Sequence, residues 1–163
     1  MWNTPLTQEV THKADEIISS ASDERALLDA ICSLLHTELL RYNWVGFYMI
    51  ANAPGEEPML ELGPFRGSMT PHTRIPLNQG ICGAAASTGK TVVVDDVNSD
   101  ARYLACSLET KSELVVPLFV DGVVAGELDI DSHFPAAFGH EDRCLCEYIA
   151  VATGKALERL RSR

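Results

Sequence analysis

The chain has 163 residues, 46% of them hydrophobic, and a formal net charge of -10 with a sequence pI near 4.8. This length is enough for one buried core and too short for two ordinary domains. The negative charge repels nucleic-acid phosphates and anionic lipid, and no apolar run reaches the roughly 20 residues of a membrane-spanning helix. We therefore expect a single domain over residues 1–163 that binds neither nucleic acid nor membrane.

The cysteine pattern indicates reduced thiols. The odd number and irregular spacing of the cysteines suit free thiols or a transient redox pair better than a framework of structural disulfides. The beginning of the chain has neither the basic nor the apolar region of a secretory signal, which favours a cytoplasmic location. The cysteines are Cys32, Cys82, Cys106, Cys144 and Cys146.

Helical periodicity occurs at both ends of the chain. Residues 5–19 form a weak helical pattern, and Asp23 is a candidate N-cap for a stronger helix with apolar residues from Leu27 to Leu35. A short helix after Gly80 is expected to end at Gly89, and a final helix is expected over residues 141–159.

Between these helices the sequence predicts strands joined by hairpins. Turn residues follow the aromatic segment 44–51, and Asp121-Gly122 is the strongest short-range hairpin signal in the chain. Helices at both ends of hairpin-built strands indicate an α+β domain with a largely antiparallel sheet. The predicted strands cover residues 44–51, 59–62, 91–94, 113–120 and 123–130.

Two cysteines are candidates for thiol chemistry. Cys106 lies in the long segment 95–112, which has few apolar residues, and loops of this length in compact domains are usually functional. Cys82 follows Gly80 at a predicted helix N-terminus, where backbone amides favour a thiolate and where the thiol could resolve a sulfenic acid. The alternative for each residue is a small, packed, unreactive side chain. The other three cysteines fit structural positions.

Acidic residues form a second candidate constellation. Glu127, Asp129 and Asp131 alternate along one strand, so their carboxyl groups lie on one face of the sheet. Crowding raises the pKa of at least one such group, which can then donate a proton near neutrality, whereas ionised members bind an ammonium group. The alternative is an exposed face of solvated charges.

Glu113 joins this constellation only if the neighbouring hairpin is irregular. A regular two-residue turn at Asp121-Gly122 pairs residue 113 with residue 130 and points Glu113 to the opposite face. A three-residue turn, or a bulge at Pro117, restores a common face. We predict one of these irregularities.

An aromatic pair is the third candidate feature. Trp44 and Tyr48 lie four residues apart on a strand, so both point to one face and could form a wall for a methyl-sulfur group, while Phe47 and Met49 pack inward. The alternative is ordinary core packing for all four. The glycine-rich patterns of nucleotide-binding loops are absent from the sequence.

Seven short motifs lie in register between about residues 43 and 150. They are Asn43-Trp44-Val45-Gly46-Phe47-Tyr48, Leu62-Gly63-Pro64-Phe65, Thr73-Arg74-Ile75-Pro76, Gly80-Ile81-Cys82-Gly83, Ala105-Cys106, Ser112-Glu113-Leu114-Val115-Val116-Pro117-Leu118 and Leu128-Asp129-Ile130-Asp131-Ser132. Together these motifs resemble the free methionine-(R)-sulfoxide reductases, a branch of the GAF-domain superfamily. The resemblance implies a single GAF domain, with a mostly antiparallel sheet flanked by N- and C-terminal helices.

The resemblance also implies a thiol mechanism. Cys106 is expected to attack the sulfoxide sulfur, a second thiol then resolves the sulfenic acid, and thioredoxin reduces the disulfide. The family often has a cysteine just before the Thr-Arg-Ile-Pro motif, where this chain has His72. That difference leaves Cys82 or an external thiol as the resolving group. The implied cycle requires no metal or organic cofactor.

The family pattern assigns the substrate contacts as well. Glu113, Asp129 and Asp131 are expected to bind the amino group of free methionine sulfoxide and to protonate the departing oxygen. Trp44 and Tyr48 are expected to line the pocket around the sulfur. Two alternatives are a non-catalytic GAF module that senses a small molecule, and a structural domain that forms a homodimer through its terminal helices.

Overall fold

The computed structural model describes residues 4–105 and 107–163, so Cys106 lies outside the described residues. The described part contains helices, strands and one short 3-10 helix over Val97–Ser99. The helices are α1 (Pro5–Ser20), α2 (Glu24–Glu38), α3 (Gly80–Thr88) and α4 (His140–Arg161), and the strands are β1 (Trp44–Ala51), β2 (Met59–Arg66), β3 (Arg74–Pro76), β4 (Val92–Val94), β5 (Ser112–Val120) and β6 (Val123–Ser132).

The helix boundaries follow local signals in the sequence. The Asp23 carboxylate accepts a hydrogen bond of 2.7 Å from the Ala26 backbone N–H, as expected for an N-cap, which typically stabilises a helix by about 1 kcal/mol. α3 ends at Gly89, whose φ of 66° lies in the left-handed region that glycine adopts without strain. No helix in residues 4–105 or 107–163 has the length and apolar character needed to cross a bilayer.

The strands form one antiparallel sheet in the order β3-β2-β1-β6-β5-β4, which confirms the predicted α+β architecture. β2 continues past the predicted end to Arg66, and β3 was not predicted. Gly63 and Pro64 together oppose Phe47 in a β-bulge, which accommodates a proline that cannot donate to the ladder. Because Gly63 and Pro64 are typical of turns, the sequence analysis ended this strand four residues too early.

The two faces of the sheet pack against different helices. α2 and α4 cover one face, with α1 packed against both helices, and on this face Phe47 is fully buried and Met49 packs beside it. α3 covers part of the opposite face, where Trp44 and Tyr48 are buried. The alternation predicted for this strand is confirmed, and it places the aromatic pair on the α3 side.

The β5–β6 hairpin contains the predicted irregularity. Val120 pairs with Val123 across the turn, but Phe119 pairs with Val124 and Leu118 with Gly126, so Ala125 is an extra residue. The bulge lies in β6, beside the predicted position at Pro117 and on the partner strand. As a result residue 113 pairs with residue 131 rather than residue 130, and Glu113 shares the face of the acidic row.

Gly154 sets how closely α4 approaches the sheet. A Cβ atom added at this position would overlap the backbone carbonyl oxygen of Phe119 in β5. Alanine is the better helix former by about 1 kcal/mol, but the helix would have to move away from the core. We expect Gly154→Ala to lower the free energy of unfolding by about 1–3 kcal/mol, measured by urea denaturation.

Val151→Ala provides the control for this prediction, because Val151 lies on the same helix and is 57% exposed. It should change the free energy of unfolding by no more than about 0.5 kcal/mol. A Gly154→Ala protein as stable as the wild type would contradict the packing argument.

Candidate active site

Four carboxyl groups lie on the α3 side of the sheet. Glu127, Asp129 and Asp131 alternate along β6, and Glu113 is the cross-strand neighbour of Asp131 on β5. Each of the four residues is at most 5% exposed. The structure therefore rules out the alternative of an exposed face with solvated charges.

Burial changes the ionisation of these groups. Loss of hydration raises the pKa of Asp129 to about 6, and it raises the pKa values of Glu127 and Asp131 well above the ordinary range, with the nearby Asp129 adding to both shifts. None of these three carboxyl groups forms an ion pair with a basic side chain in the part of the chain that the structure describes. The raised pKa values favour the protonated forms of Glu127 and Asp131, which can donate hydrogen bonds or a proton.

Cys82 lies in the first turn of α3, directly against the acidic row. Its Sγ is 3.4 Å from Asp129 Oδ2 and 3.8 Å from Glu113 Oε1, so the single thiol hydrogen has two acceptors within range, of which Asp129 is the nearer. Burial raises the pKa of the Cys82 thiol, and the charges of Asp129, Glu127 and Glu113 raise it further. The expectation that the helix N-terminus favours a thiolate here is wrong, because burial and carboxylates outweigh the backbone amides.

The aromatic pair forms one wall beside the acids. Trp44 stacks on Tyr48 with ring centroids 6.2 Å apart and on Phe65 at 5.6 Å. Trp44 Nε1 donates a hydrogen bond to the Ser68 carbonyl, and the Tyr48 hydroxyl donates to the His72 carbonyl. These bonds satisfy both polar atoms, so the ring faces are held in fixed orientations.

Two neighbouring cavities share this wall. The larger has a volume of about 200 Å³ and is lined by Trp44 and Asp131, with Ser107 and Thr110 on its loop side. The smaller has a volume of about 10 Å³ and is lined by Tyr48, Cys82, Glu113 and Asp129 among others. Trp44 stacks on Tyr48 and Asp131 pairs with Glu113, so the two cavities lie side by side, and we refer to them together as the cleft.

Cys106 lies outside the described residues, and its assignment as nucleophile stays a prediction. Its sequence neighbours both contact elements of the site. His72 Nε2 lies 3.1 Å from the Ala105 carbonyl oxygen, and Ser107 lines the larger cavity. The segment that carries Cys106 therefore meets the segment that carries His72 at the edge of the cleft.

Several cavity residues were not recognised in the sequence. Thr70 and Ser68 come from the irregular stretch after β2, where no periodic pattern indicates a direction for any side chain. Asn43 precedes β1, and its side-chain oxygen accepts a hydrogen bond of 2.7 Å from the His133 backbone N–H, which fixes the end of β6. Asn43 is the first residue of the motif Asn43-Trp44-Val45-Gly46-Phe47-Tyr48, and its place in that motif was the one sequence feature that could have indicated a role in the site.

The remaining cysteines lie away from the cleft. Cys32 and Cys146 are buried in the core on the opposite face of the sheet, and burial raises the pKa of each thiol to about 12. Cys144 lies on the outer part of α4, with Sγ 3.4 Å from His140 Nε2. The structural positions expected for Cys32 and Cys146 agree with this burial.

Comparisons with known proteins agree with the geometry. Residues 23–157 match the GAF domain family. The chain is 35% identical to Protein YtsP of Bacillus subtilis, covering 92% of this chain and 90% of that protein, and 32% identical to the free methionine-R-sulfoxide reductase of Escherichia coli, covering 87% and 82%. The structure of the Neisseria meningitidis free methionine-R-sulfoxide reductase in complex with its substrate superposes with a TM-score of 0.89 at 34% identity, covering 99% of this chain and 96% of that one.

The raised pKa of Asp129 predicts a pH-dependent stability. The folded protein keeps this proton up to about pH 6, whereas an unfolded aspartate loses it near 3.8. Between these values the folded state binds more protons than the unfolded state, so the free energy of unfolding falls as pH rises, by about 3 kcal/mol for this group. We expect Asp129→Asn to flatten this part of the stability curve, measured by urea unfolding from about pH 4 to about pH 7.

Glu57→Gln is the matched control, since Glu57 is an exposed acid between β1 and β2 that lines neither cavity. It should keep the slope of the wild type. An unchanged slope in Asp129→Asn would show that burial of this carboxyl group does not destabilise its ionised form.

Proposed function

Because the chain belongs to the GAF-domain family, among its free methionine-R-sulfoxide reductases, we propose that it reduces free methionine-(R)-sulfoxide to methionine. The observation that carries this proposal is the cleft itself, in which buried carboxyl groups face an aromatic wall beside the segment that carries Cys106. A cationic amino group and a polarisable methyl-sulfur group are the two parts of a ligand that such surfaces bind.

The substrate is a zwitterion, and the cleft suits its positive end. Glu113 and Asp129 supply carboxylate at the inner end, where an ammonium group offsets the charge that burial otherwise disfavours. Trp44 and Tyr48 then pack against the sulfur end of the side chain. This arrangement favours the free amino acid over a methionine within a protein, because the peptide bond removes the ammonium charge.

The chemical step uses Cys106 as a thiolate. Its sulfur attacks the sulfoxide sulfur and the sulfoxide oxygen takes up one proton. The hydroxyl group then passes to the Cys106 sulfur as the bond between the two sulfurs breaks, so that methionine leaves reduced by two electrons and Cys106 becomes a sulfenic acid. Asp131 is the carboxyl group that lines the larger cavity, and its raised pKa favours the protonated form that can donate there. We therefore assign the proton transfer to Asp131.

Cys82 is the proposed resolving thiol. Its attack on the Cys106 sulfenic acid forms a disulfide and releases water, and this attack needs the thiolate. Asp129 accepts the hydrogen bond from the Cys82 thiol at 3.4 Å and, with a pKa of about 6, is ionised at neutral pH and able to take the proton. Thioredoxin then supplies two electrons to reduce the disulfide, and no metal or organic cofactor takes part.

The first test is the reaction itself. A thioredoxin-coupled assay that follows NADPH oxidation should show turnover with the R epimer of free methionine sulfoxide and none with the S epimer. Cys106→Ser should abolish turnover, because a hydroxyl group cannot form the sulfenic acid. Binding of the sulfoxide without turnover by the wild type would instead support a non-catalytic GAF sensor module.

The second test separates attack from resolution. In Cys82→Ser, a single turnover without reductant should still release about one equivalent of methionine per chain, because Cys106 is intact. With thioredoxin, steady-state turnover should fall at least roughly tenfold, because no internal disulfide is presented to the reductant.

Cys144→Ser is the control for this second test, since Cys144 lies outside the cleft, and it should match the wild type in both measurements. A Cys82→Ser protein that turns over with thioredoxin at the wild-type rate would assign resolution to an external thiol.

A further inference from the structure

We propose that the thiol of Cys82 and the carboxylates of Glu113 and Asp129 form a binding site for a zinc ion that inhibits the protein. The binding site rests only on these side chains, whereas its inhibitory effect rests on the proposed function. The ion would be an inhibitor and not a cofactor, because it occupies groups that the proposed reaction needs free.

The distances between the ligand atoms fit a tetrahedral ion. Zinc binds thiolate sulfur at about 2.3 Å and carboxylate oxygen at about 2.1 Å, so a tetrahedral angle separates sulfur from oxygen by about 3.6 Å. Cys82 Sγ lies 3.4 Å from Asp129 Oδ2 and 3.8 Å from Glu113 Oε1. One ligand atom from each residue lies within 4.8 Å of the others, so small side-chain rotations close the site.

The smaller cavity provides the space for an ion. It is lined by the same three residues and has a volume of about 10 Å³, close to that of one water-sized sphere. A cation of that size fits there without displacing α3. The three protein ligands leave a fourth position for a water molecule, as in zinc sites with an open coordination position.

Unsatisfied acceptors point to a cation independently of these distances. Oδ1 of Asp129 is buried and has no hydrogen-bond partner among the described residues, and the buried Glu127 carboxyl group has the Cys82 thiol as its one neighbouring donor there. Glu127 is fully buried and, in β6, lies two residues from Asp129 on the same face. A divalent ion beside the Asp129 carboxylate offsets the unfavourable burial of its negative charge.

The ligand set favours zinc over the common hard cations. Magnesium and calcium take oxygen ligands in larger shells, whereas a thiolate with two carboxylates in a tetrahedral arrangement suits zinc. On binding, the Cys82 thiol releases its proton to solvent and the sulfur coordinates the ion, with no change in oxidation state. The bound ion blocks attack by Cys82 and occupies the carboxylates assigned to the substrate ammonium group.

The test uses the full, reduced, metal-free chain. Calorimetric titration with Zn²⁺ alone should show one site per chain, and titration with Co²⁺ should give the thiolate charge-transfer band and visible bands of a tetrahedral site. Cys82→Ser and Asp129→Asn should each weaken Zn²⁺ binding at least about tenfold. Cys82→Ser should also remove the charge-transfer band, because it removes the thiolate.

Matched control variants test whether another thiol, rather than that of Cys82, binds the Zn²⁺ ion. Cys144→Ser removes the surface thiol beside His140, and Cys106→Ser removes the proposed nucleophile; both should bind Zn²⁺ as the wild type does. Circular dichroism and thermal unfolding of each variant show whether it is folded. Unchanged binding in Cys82→Ser, or binding lost in Cys144→Ser, would overturn the proposal.

Activity provides the second readout. Zn²⁺ should inhibit methionine sulfoxide reduction, with inhibition relieved by a chelator and competitive with substrate. Because binding is measured without substrate, a chain that binds Zn²⁺ but lacks reductase activity would retain the site and refute only the proposed function. A reductase that binds no Zn²⁺ would refute only the site.

Discussion

Three carboxyl groups of β6 lie on a buried face of the sheet, where they lose hydration and no basic side chain among the described residues replaces it. Such an arrangement is unfavourable in the folded protein alone, because each group must stay protonated or remain charged in a poorly solvated place. It becomes favourable when a cation enters the cleft. In the proposed function the substrate ammonium group is that cation, and Asp129 is a carboxylate whose charge it offsets.

Two β-bulges determine which side chains meet in this cleft. The extra residue Ala125 in β6 brings Glu113 to the face of the acids, and the extra residue in β2 carries the chain past Pro64 to Phe65, which stacks on Trp44. Without the first bulge Glu113 would point into the opposite core, where its charge would have no partner of opposite sign and no water. The candidate site therefore depends on these two β-bulges, which place Glu113 beside the acids of β6 and Phe65 beside Trp44.

Much of this arrangement could be predicted from local patterns. Period-two alternation placed Trp44 and Tyr48 on one face, and the need for Glu113 beside Asp131 predicted an irregular hairpin. The position of the bulge could not be predicted, because Pro117 offers a local reason for one and Ala125 offers none. β3 could not be predicted because it is only three residues long, so its single buried side chain, Ile75, does not make a periodic pattern that differs from that of a loop.

The ionisation of Cys82 shows where sequence reasoning fails for a physical reason. Proximity to a helix N-terminus can be read from the sequence, whereas burial and the three nearby carboxyl groups depend on contacts 31 to 47 residues away in the chain. A buried thiol beside carboxylates is protected from adventitious oxidation, because it remains protonated until a base takes its proton. In the proposed reaction that base is Asp129, whose own pKa depends on what occupies the cleft: a bound ammonium group favours the ionised carboxylate. Once methionine has left, that ammonium group is gone and the pKa of Asp129 returns to about 6, so the carboxylate is a stronger base at the step in which Cys82 must lose its proton.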